Sequence, residues 1–162
     1  MEENKSILLI DNDVMVSLFD IVYQANKIGF RQTISYLATL FHLIWVPRTV
    51  YKEFLRKRRD RKRSKRLKAI FSRYQFIGFC PIPVGKNEIV LITGGSSENA
   101  GETDAVLQGR KAPQIEQFQY KRVVFLTNDR GAMGFARQMG VAVFQYRNLQ
   151  QQMLELGVEL PN

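Results

Sequence analysis

The chain has 162 residues, of which 45% are hydrophobic, and a formal net charge of +9. This length and composition allow one domain with a sizeable core and are not those of a disordered chain. No apolar run approaches the roughly 20 residues of a membrane span, and the acidic start MEENKS leads directly into a strand pattern, which argues against a signal peptide.

The chain contains one cysteine and one histidine. Cys80 cannot form an internal disulfide, so we expect a cytoplasmic protein. His42 has apolar neighbours, and we expect it in the core or at its boundary. A structural zinc site is excluded because two such ligands are too few.

The excess positive charge lies in one segment. Residues 56–68, RKRRDRKRSKRLK, hold ten of the 24 basic residues and one of the 15 acidic residues, so the other 14 of each sign cancel. Such a cluster favours a nucleic-acid partner over a solvated helix face or a mobile loop. Residues 56–66 contain no apolar side chain, so a helix there should project into solvent or fray. The predicted nucleic-acid-binding residues are Arg56, Lys57, Arg58, Arg59, Arg61, Lys62, Arg63, Lys65, Arg66 and Lys68.

The first predicted element is a buried strand within ILLIDNDVMV, residues 7–16. Its four leading apolar residues are typical of a central strand in a parallel sheet. Asp11 and Asp13 then stand at its carboxyl end, where open α/β sheets bind ligands. For Asp13 alone, a role as the cap of the next helix is equally consistent with the pattern.

Helices and one short strand are predicted next. Apolar spacing indicates a helix over 14–29 with Gly29 as its C-terminal cap, then a helix over 31–43. A short strand ends at Pro47. A third helix follows with Thr49 as its N-cap and Glu53 on its first turns.

The second half of the chain continues the alternation of strands and helices. A strand is expected within 76–84, and the pattern over 87–92 does not decide between helix and strand. A helix begins near Gly101, with Glu102 and Asp104 in its first turn, where the helix dipole favours acids whatever their function. The remaining elements are a strand over 121–127 followed by Asn128 and Asp129, a helix over 131–140 capped by Gly140, a strand over 141–146 and a closing helix.

Alternating strands and helices predict an α/β fold with a central parallel sheet, whose strands end along one edge. That edge would gather Asp11, Glu53, Asp104 and Asp129. Four carboxylates repel one another unless a cation compensates, and oxygen ligands without histidine or cysteine favour Mg²⁺ or Mn²⁺. Beside a basic segment, such a site suits phosphodiester hydrolysis.

Four segments together resemble the PIN-domain ribonucleases. ILLID matches an apolar strand that ends in Asp, and VPRTVYKEF matches a Glu early in a helix after a Val-Pro strand end. GETDAV matches an acid before Ala and an aliphatic residue, and VVFLTNDRGA matches an Asp after an apolar strand. The resemblance covers nearly the whole chain, and GETDA fits the subgroup with a Gly-Glu-x-Glu/Asp-Ala segment.

This resemblance implies one PIN-like domain over 1–162, a three-layer α/β/α fold with a five-stranded parallel sheet, and Mg²⁺- or Mn²⁺-dependent endonucleolytic cleavage of single-stranded RNA. It also allows a toxin role with a cognate antitoxin, or a homo-oligomer. The chain departs from the family in Asn12, where Thr or Ser is common, in Asp13, where Ser or Asn is common, and in its basic insertion at about 56–68. The implied catalytic acids are Asp11, Glu53, Asp104 and Asp129, of which Asp11, Asp104 and Asp129 are metal ligands, with Asp13, Glu102 and Asn128 as auxiliaries.

Two alternatives differ in chemistry. LLIDNDVMV and VVFLTN also fit haloacid-dehalogenase-type phosphatases, in which Asp11 would be the nucleophile and Asp13 the acid/base. That class needs a lysine after Thr127, and none occurs there. The other alternative is a catalytically inactive PIN-like module that binds RNA through its basic segment, although such a module would not need the acids.

Overall fold

A computed structural model describes residues 6–56, 61–85, 100–115, 118 and 122–161. The side chains of residues 56 and 100–102 are also outside the description. The predicted site residue Glu102 is one of them. The predicted basic residues Lys57, Arg58 and Arg59 and the undecided segment 87–92 lie outside the described residues.

The described strands form one five-stranded parallel sheet. They are β1 Ser6–Ile10, β2 Phe41–Val46, β3 Ile77–Phe79, β4 Val123–Thr127 and β5 Ala142–Gln145. Their order across the sheet is β3-β2-β1-β4-β5, and every neighbouring pair is parallel. The predicted α/β fold with a central parallel sheet is confirmed.

Helices connect the strands. Helix α1 consists of Asn12–Val14, a π-helical stretch Met15–Val22 and Tyr23–Ala25. In the described part of the chain, no helix is long and apolar enough to cross a membrane. The other helices are α2 Lys27–Leu40, α3 Arg48–Arg56, α4 Arg61–Arg73, α5 Ala100–Lys111 with a 3-10 turn Ala112–Gln114, α6 Arg130–Gln138 and α7 Tyr146–Glu155.

The sheet separates two hydrophobic cores, because successive side chains of a strand point to opposite faces. Leu8 and Ile10 of β1 pack with α1, α2, α3, α4 and α7. Ile7 and Leu9 pack with α5 and α6. All four side chains are fully buried, which explains the unbroken apolar run in the sequence. The fold is therefore the expected three-layer α/β/α arrangement.

The direction of the chain across the sheet reverses between β1 and β4. From β1 the chain moves outward to β2 and β3, and it then returns to place β4 on the other side of β1. Such a reversal leaves a crevice outside the carboxyl ends of the two central strands, where ligands bind in open α/β sheets. Asp11 follows β1 here, and Asn128 and Asp129 follow β4.

Two predicted boundaries are wrong. Gly29 does not end the first helix but lies in the first turn of α2, where its N–H donates to Asn26 Oδ1 at 2.9 Å. Phe41 and His42 belong to β2 rather than to a helix, because pairing with β1 prevails over the local helical spacing. His42 is exposed on that strand and not in the core. The predicted cap Gly140 is confirmed, with a φ of 77°.

A buried ion pair anchors α4 to α1. The Arg63 guanidinium is 4% exposed, and its Nε and Nη2 both lie 2.8 Å from Asp20 Oδ2. Arg66 Nη1 lies 2.8 Å from Asp20 Oδ1. Arg63 also donates to the Phe54 carbonyl at 2.8 Å and stacks over the Phe54 ring. The prediction that this segment projects into solvent is therefore wrong for Arg63, which cannot reach an outside anion.

Four other described cations in the first two turns of α4 form what we call the basic face. Arg61, Lys62, Lys65 and Lys68 are all exposed. Arg61, Lys65 and Lys68 follow the i, i+4, i+7 spacing that places side chains on one side of a helix. The buried pair thus fixes the helix, and the basic face points outward.

Asp20→Asn should lower the free energy of unfolding by about 3 to 5 kcal/mol, because it leaves a buried guanidinium without its counter-charge. Urea denaturation measures this, and the exposed Glu155→Gln is the matched control, with a change within about 0.5 kcal/mol. A loss for Asp20→Asn no larger than that of the control would show that the ion pair does not anchor α4.

Candidate active site

A buried hydroxyl joins the carboxyl ends of β1 and β4. The Thr127 side chain is fully buried, and its Oγ1 donates to Asp11 Oδ2 at 2.7 Å. The same oxygen accepts the Asp129 N–H at 3.1 Å. Asp11 Oδ1 accepts the Asn12 N–H at 2.8 Å and caps α1. Thr127 therefore holds the Asp11 carboxylate and the Asp129 backbone in a fixed relation.

Asp13 links α1 to the loop after β4. Its Oδ2 accepts the Asn128 N–H and its Oδ1 accepts the Val14 N–H, both at 2.8 Å. Burial raises the pKa of the Asp13 carboxyl above its usual range; the two backbone N–H groups oppose this shift, and the charge of Asp129 adds to it. The N-cap of α1 is Asp11, so the capping interpretation of Asp13 is wrong.

Asp129 is the N-cap of α6 and is exposed. Its Oδ1 accepts the N–H groups of Gly131 at 2.8 Å and Ala132 at 3.2 Å. The structure thus brings Asp11, Asp13 and Asp129 together around the ends of β1 and β4, with Asn128 between them. We call these three carboxylates the acidic cluster.

Asp104 is buried and bound to the start of α3. Its Oδ2 accepts the Thr49 N–H at 3.3 Å, and the Thr49 hydroxyl is a second donor. Burial raises the pKa of Asp104, against the effect of the Thr49 bonds and the Lys52 charge. Thr49 is therefore the partner of Asp104 inside α3 and not the N-cap of that helix. Glu53 is half-buried one turn further along the same face of α3.

Asp104 lies at the same edge of the sheet as the acidic cluster. Burial, with the nearby Asp104 charge, raises the pKa of the Cys80 thiol to about 12. Cys80 follows the carboxyl end of β3, and Thr49 follows that of β2. Asp104 and Glu53 thus belong to the β2–β3 part of the edge, and the acidic cluster belongs to the β1–β4 part.

The side chains of the acidic cluster offer oxygen donors, which are the ligands that hard divalent cations prefer. Among the described residues, no three acidic, histidine or cysteine side chains are placed to hold one ion. Mg²⁺ does not need such a cage, since it is usually bound through one or two carboxylates, waters and substrate phosphates. Asn12 Oδ1 and the Tyr146 hydroxyl are buried without a hydrogen-bond partner in the described part. Burial, with a smaller effect of the Asp13 charge, raises the pKa of Tyr146 to about 12. Oxygen donors and clustered carboxylates favour binding of such a cation.

Sequence reasoning missed the role of Thr127. It predicted the acids on either side of the edge, but it considered Thr127 as the end of a strand and as part of the phosphatase motif, and gave it no role in positioning these acids. The available signal was a hydroxyl residue directly between a buried apolar run and the acid-bearing loop. Asp20 was also missed, because its partners lie on another helix.

Comparison with known proteins identifies no relative of this chain. No protein-family model matches this chain, and a search of curated proteins finds no significant match.

The raised pKa of Asp13 makes stability depend on pH. The folded chain holds the Asp13 proton more tightly than the unfolded chain, so protonated Asp13 contributes to the free energy of unfolding. This contribution is complete below the unfolded pKa of about 4 and is lost as pH rises through the folded pKa. Asp13→Asn should make the fall in unfolding free energy above about pH 4 less steep. Urea denaturation in chelator between about pH 4 and 8 measures this, with Glu155→Gln as control. An Asp13→Asn curve parallel to the wild-type curve would contradict it.

Proposed function

We propose that this chain is a metal-dependent endoribonuclease with a PIN-like domain that hydrolyses phosphodiester bonds in single-stranded RNA. The observation that carries this proposal is the bond from Thr127 Oγ1 to Asp11 Oδ2, which, together with the Asp129 N–H on the same hydroxyl oxygen, ties the acid after β1 to the acid-bearing loop after β4. The switch point of the sheet, the oxygen-only donors and the basic face of α4 support it. Together they pair a cation site with a surface for a polyanion.

The proposed cofactor is Mg²⁺ or Mn²⁺, held by Asp11 and Asp129. When bound, such an ion lowers the pKa of a coordinated water and offsets charge on the phosphoryl group. Thr127 orients the Asp11 carboxylate towards this role. Asp104 contributes through bound water from the neighbouring part of the edge, where Thr49 holds its Oδ2.

Two acids are suited to proton transfer. A carboxyl whose pKa is raised by burial comes closer to the operating pH, which favours general acid–base catalysis. Asp13 lies within the acidic cluster, and Asp104 lies towards β2 and β3. We propose Asp13 as the group that holds a proton beside the reacting phosphate and Glu53 as an acid that supports Asp104 from α3.

The basic face supplies sequence-independent affinity for the strand. Lysine and arginine that neutralise phosphates release counterions, so binding weakens as salt increases. Arg63 and Arg66 are held by Asp20, so in this segment we assign such contacts to the outward cations. The proposed RNA-binding residues of this helix are therefore Arg61, Lys62, Lys65 and Lys68.

Asp129→Asn should reduce cleavage by at least about 100-fold, since loss of a metal ligand removes several kcal/mol of transition-state stabilisation. RNA binding should persist, because asparagine is also a good N-cap and keeps α6 in place. Cleavage of labelled single-stranded RNA in Mn²⁺, compared with chelator, measures this, and Glu159→Gln is the control. Cleavage that survives in chelator would exclude the metal. Monoester hydrolysis that is lost in Asp13→Asn, with no RNA cleavage, would favour a phosphatase.

Replacing Arg61, Lys65 and Lys68 together by Gln should weaken RNA binding. The slope of log affinity against log salt should become less negative by about 2, since each single-strand phosphate contact contributes about 0.7. Fluorescence anisotropy across a salt series measures both quantities. The matched control replaces Arg31, Arg110 and Arg122, which are exposed elsewhere, and changes the net charge equally. Equal slopes for the two variants would remove the role given to the basic face.

A further inference from the structure

A cavity of about 360 Å³ opens beside the acidic cluster, at the ends of β4 and β5. Asn128 follows β4, and Gln145 is the last residue of β5. Met133 is buried and gives the cavity an apolar wall. The lining residues are Asn128, Arg130, Met133, Arg137, Gln145 and Arg147.

Three arginines from two helices surround this cavity. Arg130 and Arg137 are seven residues apart on α6, which places them on one face, and Arg147 is in the first turn of α7. All three are exposed, and within the described ranges their guanidinium groups have no ion pair or hydrogen bond. Like charges around a cavity repel one another, so an anion between them is favourable. The planar guanidinium matches phosphate oxygens in pairs.

The cavity adjoins the acidic cluster directly. Asn128 lines the cavity, and its N–H donates to Asp13 Oδ2 at 2.8 Å. The next residue, Asp129, belongs to the cluster. An anion held by the arginines would therefore lie next to the place where the proposed metal acts.

The cavity and the basic face lie on opposite sides of the acids. Helix α4 contacts β3, whereas the cavity lies at β5, and these strands are the two edges of the sheet. A strand bound by both surfaces would have to cross the carboxyl ends of β1 and β4. This is the path that would present one of its phosphodiester bonds to the acidic cluster.

We propose that this cavity is a phosphate subsite that binds the phosphate next to the reacting phosphodiester of an RNA strand. The identity of the strand rests on the proposed nuclease function, whereas the preference for phosphate rests on the arginines. The volume is at the lower end of the range for ligand pockets, about 300 to 1,000 Å³, and suits one nucleotide unit rather than a duplex.

The test is binding of a fluorescein-labelled, 5′-phosphorylated RNA tetranucleotide in chelator, so that no cleavage occurs. Arg137→Gln and Arg147→Gln should each weaken binding by about tenfold or more, as expected for loss of a hydrogen-bonded charge. Arg122→Gln removes the same charge at the other end of β4 and should change affinity by less than about twofold. Inorganic phosphate should compete only weakly. All three side chains are exposed, so thermal unfolding should be unchanged.

Three outcomes would overturn the subsite: no weakening in either variant, equal weakening in Arg122→Gln, or inorganic phosphate that binds as tightly as the tetranucleotide. The last outcome would indicate a small-anion site. Cleavage measurements separate this proposal from the nuclease function. Cleavage with an unchanged KM in Arg137→Gln and Arg147→Gln would remove the subsite alone. Arginine-dependent binding without any cleavage by the wild type would remove the nuclease function alone.

Discussion

The parallel pairing of β1 with β4 places the candidate site. The two strands are separated by more than a hundred residues in the chain, yet Ile10 lies beside Leu126 in the sheet. Burial of β1 on both faces fixes this register, because a slip by one residue would exchange its side chains between the two cores. The residues that follow the strands must then meet, and the Thr127–Asp11 bond and the Asn128–Asp13 bond are the result. The chemistry of the edge is thus a consequence of core packing.

Charge is distributed unevenly around this edge. Burial penalises the ionised forms of Asp13 and Asp104, which is why the pKa of each is raised. These acids are therefore costly for stability at neutral pH, and a bound cation would reduce that cost. Cations stand on both sides, on the basic face of α4 and in the arginine-lined cavity. An anionic strand together with a divalent cation would balance both sets of charges, which neither ligand would do alone.

Local sequence patterns were sufficient to predict the central strands and the acids that follow them. A continuous apolar run bounded by polar residues identifies a buried strand, and β1 and β4 both have one. The predictions are wrong where residues distant in the chain determine the local structure. Phe41 and Leu43 lie in a segment with helical spacing but pair with β1. Arg63 is buried because Asp20, 43 residues earlier in the chain, supplies its counter-charge. The arginines of the cavity come from two helices, so no single segment shows their convergence.

Paramagnetic line broadening by Mn²⁺ tests most directly whether the acids at the ends of β1 and β4 hold a divalent cation. At substoichiometric Mn²⁺, the amide NMR signals of Asn12, Asp13, Asn128 and Asp129 should broaden before all others. Asp11→Asn should remove this selectivity while leaving the spectrum of a folded chain. Broadening that is uniform, or that is centred on exposed acids such as Glu155 and Glu159, would contradict the proposed metal site.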